Sequence, residues 1–271
     1  MLDDDSTTRS TASRQAREPL TPKSHHRFGK SRIELPIRFT KEGKSMTIIF
    51  EERPSDSPYI QTITQGYTAS DGTTIRPAEC NWHMVFVREN GRLHPIVVGP
   101  LTTSGPVSWK EGAEILWIRF SLGTFMPHLP FKHSLNIETT LPKASSKTFW
   151  LNGSSWEFPG FENVETFVER LVRDEMLVCD PVVSNVLENR PLDLSPRTIR
   201  HRFQQATGLS QKYIDQYQRA QKALALLNRG VPILDTVHQA GYYDQPHLTR
   251  SLRKYIGTTP GEEVNKMCEP G

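Results

Sequence analysis

The chain has 271 residues, enough for about two domains with separate cores, and its 36% hydrophobic and 9% aromatic content fits a globular protein. No run of about 18 apolar residues occurs, which excludes a membrane-spanning helix. Three scattered cysteines, Cys80, Cys179 and Cys268, form neither a CxxC pair nor a zinc-ligand spacing, a usage that fits a reducing, cytoplasmic location. The formal net charge is only +3, so where the charge lies matters more than its total.

Residues 1–30 are polar and lack the apolar core of a secretory signal, and they read as a disordered tail. From 31 to 155 the pattern predicts a β-rich sensory or dimerisation domain. Short β-branched and aromatic runs (MTIIFEE, HMVFV, HPIVVGP, EILWIRF) alternate with turn residues. Asn90-Gly91 separates the second run from the third and predicts a tight hairpin, so an antiparallel sheet, sandwich or barrel is expected. Residues 156–179 predict a connecting helix. Phe161, Val164, Phe167, Val168, Leu171 and Val172 recur there at steps of three and four.

Beyond that point the chain is expected to be helical to its end, with boundaries marked by its own punctuation. Asp180-Pro181 and Ser195-Pro196 each place a capping side chain before a proline in the first turn. Gly208 closes the helix opened by Ser195, and Ser210 caps a longer one, about 211–228, that stops at Gly230. Pro232 starts a short helix ending before Gly241, and Asp244 caps a last one running to Gly257.

Two of these helices share a layout. Ile199, Phe203 and Ala206 form an inward face on the first, leaving Arg197, Thr198, Arg200, His201 and Gln204 outward. On the second, Leu248, Leu252 and either Tyr255 or Ile256 face inward and Gln245, His247, Thr249, Arg250, Arg253 and Lys254 outward. A helix seated in the major groove needs this division between its own core and donors for phosphates and base edges. Between Arg190 and Gly257 eleven cationic side chains face four acidic ones, a net of +7 in a chain whose total is +3. That concentration is the electrostatic footprint of a nucleic-acid binder. A single basic helix is usually only a solvated face; two with the same layout, joined by one long helix, point to DNA.

The segment about 180–264, with LSPRTIRHRFQQATGLS, QRAQKALALLNRG and GYYDQPHLTRSLRKYIGTTP, resembles the DNA-binding domain of AraC/XylS-type transcriptional regulators. The resemblance is carried by Leu194, Ser195, Arg197, Ile199 and Phe203, then Gly208, Ala223 and Leu227, then Gly241, Asp244, Arg250, Gly257 and Pro260. It implies two helix-turn-helix units joined by a linker helix, and an N-terminal half similar to the cupin-like sensory domain of such regulators. The sequence departs from the family at His201, Thr236-Val237, Leu248 and Leu252, and in the first turn, ENRPLDLS, which lacks a glycine.

The expected fold is therefore α+β: a cupin-like sandwich or barrel, then an all-α domain. The expected function is sequence-specific transcriptional regulation, with the two units docking in successive major grooves of double-stranded DNA. RNA polymerase, a small effector in the β half and a second copy of the chain stand open as further partners. The alternative is a cupin-like metal-dependent enzyme fused to a helical module. Such a centre wants an HxH pair plus a carboxylate and a third histidine. His83, His94, His128 and His133 supply no HxH, and His25-His26 are adjacent in the tail. No catalytic residue, metal or cofactor is assigned. Trp82, Trp109 and Trp117 read as core side chains ahead of an effector pocket.

Overall fold

A computed structural model describes the backbone of residues 37–41 and 44–268 and the side chains of 48–266. The tail expected over 1–30 lies outside the described residues.

The strands run β1 (Ile37–Lys41), β2 (Lys44–Arg53), β3 (Ile60–Thr68), β4 (Gly72–Arg76), β5 (His83–Glu89), β6 (Arg92–Val98), β7 (Gly105–Trp109), β8 (Glu114–Phe120), β9 (Thr124–Phe125), β10 (Glu138–Thr140), β11 (Thr148–Leu151) and β12 (Ser154–Glu157). Each predicted apolar run falls on a strand. At the Asn-Gly turn both central residues take positive φ, Asn90 at 51° and Gly91 at 72°, so β5 and β6 close as a tight hairpin with Glu89 opposite Arg92. Around this hairpin the pairing is nested: β4 pairs with β7 and β3 with β8, all antiparallel. One long hairpin rolled over on itself is the strand plan of a jelly roll, the architecture to which cupins belong. The main sheet has the order β1-β2-β3-β8-β5-β6-β10.

Alternation along the strands places the core. On β8, Leu116, Ile118 and Phe120 are buried while their neighbours are not. Trp82 stacks on Phe120 with ring centroids 3.9 Å apart and donates its indole N–H to the carbonyl of Thr124 at 2.7 Å, a core role. Within the expected connecting segment, the helix is α1 (Val164–Arg173), preceded by a short 3-10 turn and by strand β12. Val164, Phe167, Val168 and Leu171 close the barrel core, as their spacing predicted. Arg53 fastens the start of α1, with a two-pronged bond to the Glu165 carboxylate at 2.5 and 2.8 Å and a third to the Phe161 carbonyl.

The rest of the chain is not wholly helical. Strand β13 (Val178–Cys179) follows α1 and pairs with β9, a two-residue contact too short to leave a periodic signal. Then come α2 (Pro181–Leu187), α3 (Pro196–Thr207), α4 (Gln211–Leu227), α5 (Ile233–Gln239), α6 (Gln245–Tyr255) and α7 (Pro260–Cys268). Helix α7 lies beyond the expected last helix. Its start is a reciprocal cap: Thr259 and Glu262 exchange backbone-to-side-chain bonds at 2.6 and 3.2 Å, with Pro260 between them. Among the described residues no helix is long and apolar enough to cross a membrane.

Separate apolar clusters hold the barrel, α2–α3 and α4–α7. One extended segment reaches all of them. Ala78 is buried with Leu227, Leu248 and Tyr255, Cys80 with Val183, Phe203 and Ile214, and Trp82 with the barrel core. Of the intervening odd positions, Asn81 donates to the Phe120 carbonyl at 2.6 Å, and the Glu79 and His83 side chains gather with Arg119. Burial pushes the Cys80 thiol up to about 12, with Glu79 adding to it, so it is an inert core sulfhydryl.

Candidate nucleic-acid interface

Each basic helix is built by a local cap and held by a short helix in front of it. At the first, the Ser195 hydroxyl accepts from the Thr198 amide at 3.2 Å, and Gly208 ends the helix at φ 72°. The turn before it has no glycine; Asn189 supplies the left-handed residue, at φ 52°. The Asp180 carboxylate does two things. It accepts from the Val182 amide at 2.9 Å, capping α2, and it takes a fork of two bonds from Arg202 of α3 at 2.7 and 2.8 Å. Composition showed Arg202 only as a cation; the structure spends it on fixing α2 against α3.

The second unit repeats the plan on α5 and α6. The Asp244 carboxylate accepts from the His247 amide at 2.7 Å. Leu248 and Leu252 are buried, as their spacing implied, and so are both Tyr255 and Ile256, while on α3 Phe203 and Ala206 are buried and Ile199 is half-buried. Thr236 and Val237 of α5 are buried as well.

The outward residues divide into two groups. Arg197, Thr198, Arg200, His201 and Gln204 on α3, and Gln245, Arg250, Arg253 and Lys254 on α6, are exposed. Among the described residues Arg197, Arg200 and Arg250 are in no ion pair, so their guanidinium groups are available to phosphate or base. His247 and Thr249 are only half-exposed. His247 stands edge-on to the Tyr242 ring at 5.1 Å, and the Thr249 hydroxyl donates back to the Gln245 carbonyl at 2.9 Å. The Lys254 ammonium lies over the Tyr255 and Tyr213 rings, 4.8 and 5.4 Å from their centroids, at the end of α6. The outward face of α6 is therefore narrower than the sequence alone suggested.

The C-terminus of α6 rests on the β half. Its last carbonyls have no partners within the helix. Those of Arg253 and Lys254 accept from the hydroxyl and amide of Ser104, at 2.9 and 2.8 Å, and that of Tyr255 accepts from the Ala78 amide at 2.7 Å. Beside them the Tyr213 hydroxyl of α4 donates to the Thr102 carbonyl at 2.8 Å. Gly257, at φ 92°, fits where a Cβ would overlap Ile75 Cγ2 and stand 3.2 Å from Ser104 Cβ. No periodic signal in the sequence foretells this seat, because it joins segments about 150 residues apart.

The β half carries an open groove of about 460 Å3. Phe50, Tyr67, Phe86, Leu116 and Phe161 line it, with Arg88 at its edge in an ion pair with Glu114 at 3.1 Å. None of Trp82, Trp109 and Trp117 is in this lining. Among the described residues no group of three or more His, Cys, Asp or Glu side chains is placed to hold a metal ion.

Residues 190–266 match the family model described as a helix-turn-helix domain. Among solved structures the chain is similar to ToxT from Vibrio cholerae, determined at 1.65 Å. The likeness has 10% identity and a TM-score of 0.35, and covers 80% of this chain and 98% of that one. No curated protein sequence matches the chain. The match over 190–266, on the paired and capped helices described above, makes this end of the chain a helix-turn-helix domain of the AraC type, and the protein a DNA-binding transcriptional regulator in its general class.

Proposed function

We propose that α3 and α6 dock together in successive major grooves of one DNA face, making the chain a sequence-specific regulator with a two-part operator. The observation that carries this reading is the repeated unit: two capped helices, each with a buried apolar side and exposed Arg and Gln side chains opposite. Helix α4 joins them with 17 residues, about 26 Å at 1.5 Å per residue, which is comparable to the roughly 34 Å between successive major grooves. Arg197 and Arg200 supply forks for guanine and Arg250 charge for phosphates; Gln204 and Gln245 suit adenine.

The half-apolar groove beside Phe50 and Phe86 supports a second part of the reading, a small effector of mixed apolar and polar character that tunes occupancy at DNA. Selection of bound sequences from a random duplex pool with the full chain tests the proposal. Recovery of a bipartite motif is expected, with affinity falling linearly in log-log form as salt rises. An undivided site, or a flat salt response, would count against two-groove docking.

A further inference from the structure

Tyr243 is the most exposed large apolar side chain among the described residues, at 91% of its surface, and it stands one residue before the cap of α6. Its backbone is pinned on both sides. Tyr242 is buried and its hydroxyl bonds Ser251 Oγ at 2.8 Å, while Asp244 is fixed by its bond to the His247 amide. The ring is thus carried on a defined corner.

The ordinary structural use for an apolar residue at this place is to fold back onto the fourth helical residue and staple the helix start. That residue is Leu248, which is fully buried within its own cluster. A ring with 91% of its surface in water is not covering it. Neither the cap nor the turn requires an aromatic residue, so the fold gives no reason for one.

We infer that Tyr243 is a specificity-determining residue whose ring packs on the C5-methyl of a thymine where α6 enters the groove. This rests on the proposed docking of α6. In that docking the N-terminal end of the recognition helix is the part that reaches base edges, and the thymine methyl is the apolar feature of the major groove. Gln245, two residues on and also exposed, has the donor and acceptor pair that suits adenine. The two side chains together select a half-site containing A·T pairs, distinct from the guanine contacts open to the arginines of α3.

The test uses the full chain and a duplex recovered from a random pool by the wild-type protein, in which each thymine is replaced in turn by uracil. Uracil keeps the pairing and removes only the methyl. At one thymine of the half-site contacted by α6, the replacement should lower wild-type affinity about tenfold, which is about 1.4 kcal/mol. Tyr243→Ala should lose the same factor on the methylated duplex and nothing more on the uracil duplex, while Tyr243→Phe binds as wild type. Because the ring is exposed, both variants should melt as wild type does. Three results overturn the inference: uracil effects that stay equal in wild type and Tyr243→Ala; a loss in Tyr243→Phe as large as in Tyr243→Ala, which means a phenol-to-phosphate contact; or unchanged DNA affinity in Tyr243→Ala, whether or not transcription changes. If the wild type selects no duplex, the DNA-docking reading fails as well, and that outcome is seen before any variant is made.

Discussion

Replacing Gly257 by alanine tests the seat of the second recognition helix on the β half. Two costs act at this position. A side chain at φ 92° is strained by about 1–2 kcal/mol relative to glycine. The added Cβ also overlaps Ile75 Cγ2, and overpacking of this kind costs about 1–3 kcal/mol. Together they predict about 2–5 kcal/mol, enough to lower the urea midpoint of a marginally stable chain clearly. Ile75 is 46% exposed, so Ile75→Ala alone should cost about 1 kcal/mol or less. In the double variant the overlap disappears, leaving Ser104 Cβ at 3.2 Å as the nearest neighbour, and Gly257→Ala should then cost little beyond its backbone strain. Urea unfolding of the four full-length proteins gives a coupling of about 1–3 kcal/mol if Gly257 is packed on Ile75. Effects that add to within about 0.5 kcal/mol would show that the two residues do not touch and that α6 is not seated there.

Arg200→Ala should cost about 1–3 kcal/mol of DNA affinity and relax preference at one or two base pairs, whereas Arg250→Ala should weaken all sequences about equally. A binding profile over single-base variants checks both, and the opposite assignment of effects would reverse the roles given to Arg200 and Arg250. Burial, with Arg119 and Arg76 nearby, holds the His83 imidazole down to about 3. The unfolded chain therefore binds a proton that the folded one does not between about pH 6.5 and that value. Stability from this residue is complete above the unfolded pKa and falls as pH drops through the window, with a slope approaching 1.4 kcal/mol per pH unit. Glu79, whose pKa is raised chiefly by burial, acts in the opposite sense above its usual range and subtracts part of the slope. Urea midpoints measured from pH 7 to 4 should flatten in His83→Gln; an unchanged pH profile would mean that the imidazole titrates normally.

What was legible in the sequence was local. Ser195, Asp244 and Asp180 each announce a helix start because a cap needs only a side-chain oxygen two or three residues away, and Asn90-Gly91 announces a hairpin because only such residues take positive φ cheaply. The buried faces of α3 and α6 followed from spacing alone. The sequence holds a further capping signal in Thr259-Pro260-Gly261-Glu262, where α7 starts beyond the glycine that ends α6. It did not reveal that Arg202 is committed to Asp180 or that Lys254 lies over two tyrosine rings, since both depend on which elements meet. Tyr243 precedes a cap, where an apolar side chain ordinarily staples the helix start, and only its exposure separates it from a staple.

The segment from Ala78 to Trp82 has a consequence for how the molecule comes apart. Its alternate side chains are embedded in the clusters of the second helix-turn-helix unit, the first unit and the barrel. Melting any one of these regions removes the packing around a residue only two or four positions from the others. The three cores should therefore melt in a single transition, and hydrogen exchange of the slowest amides in α3, α6 and β8 should report one common opening free energy. The helical half, lacking Ala78, Cys80 and the Ser104 amide when cut away, is better regarded as one end of a fused cooperative block than as a detachable module.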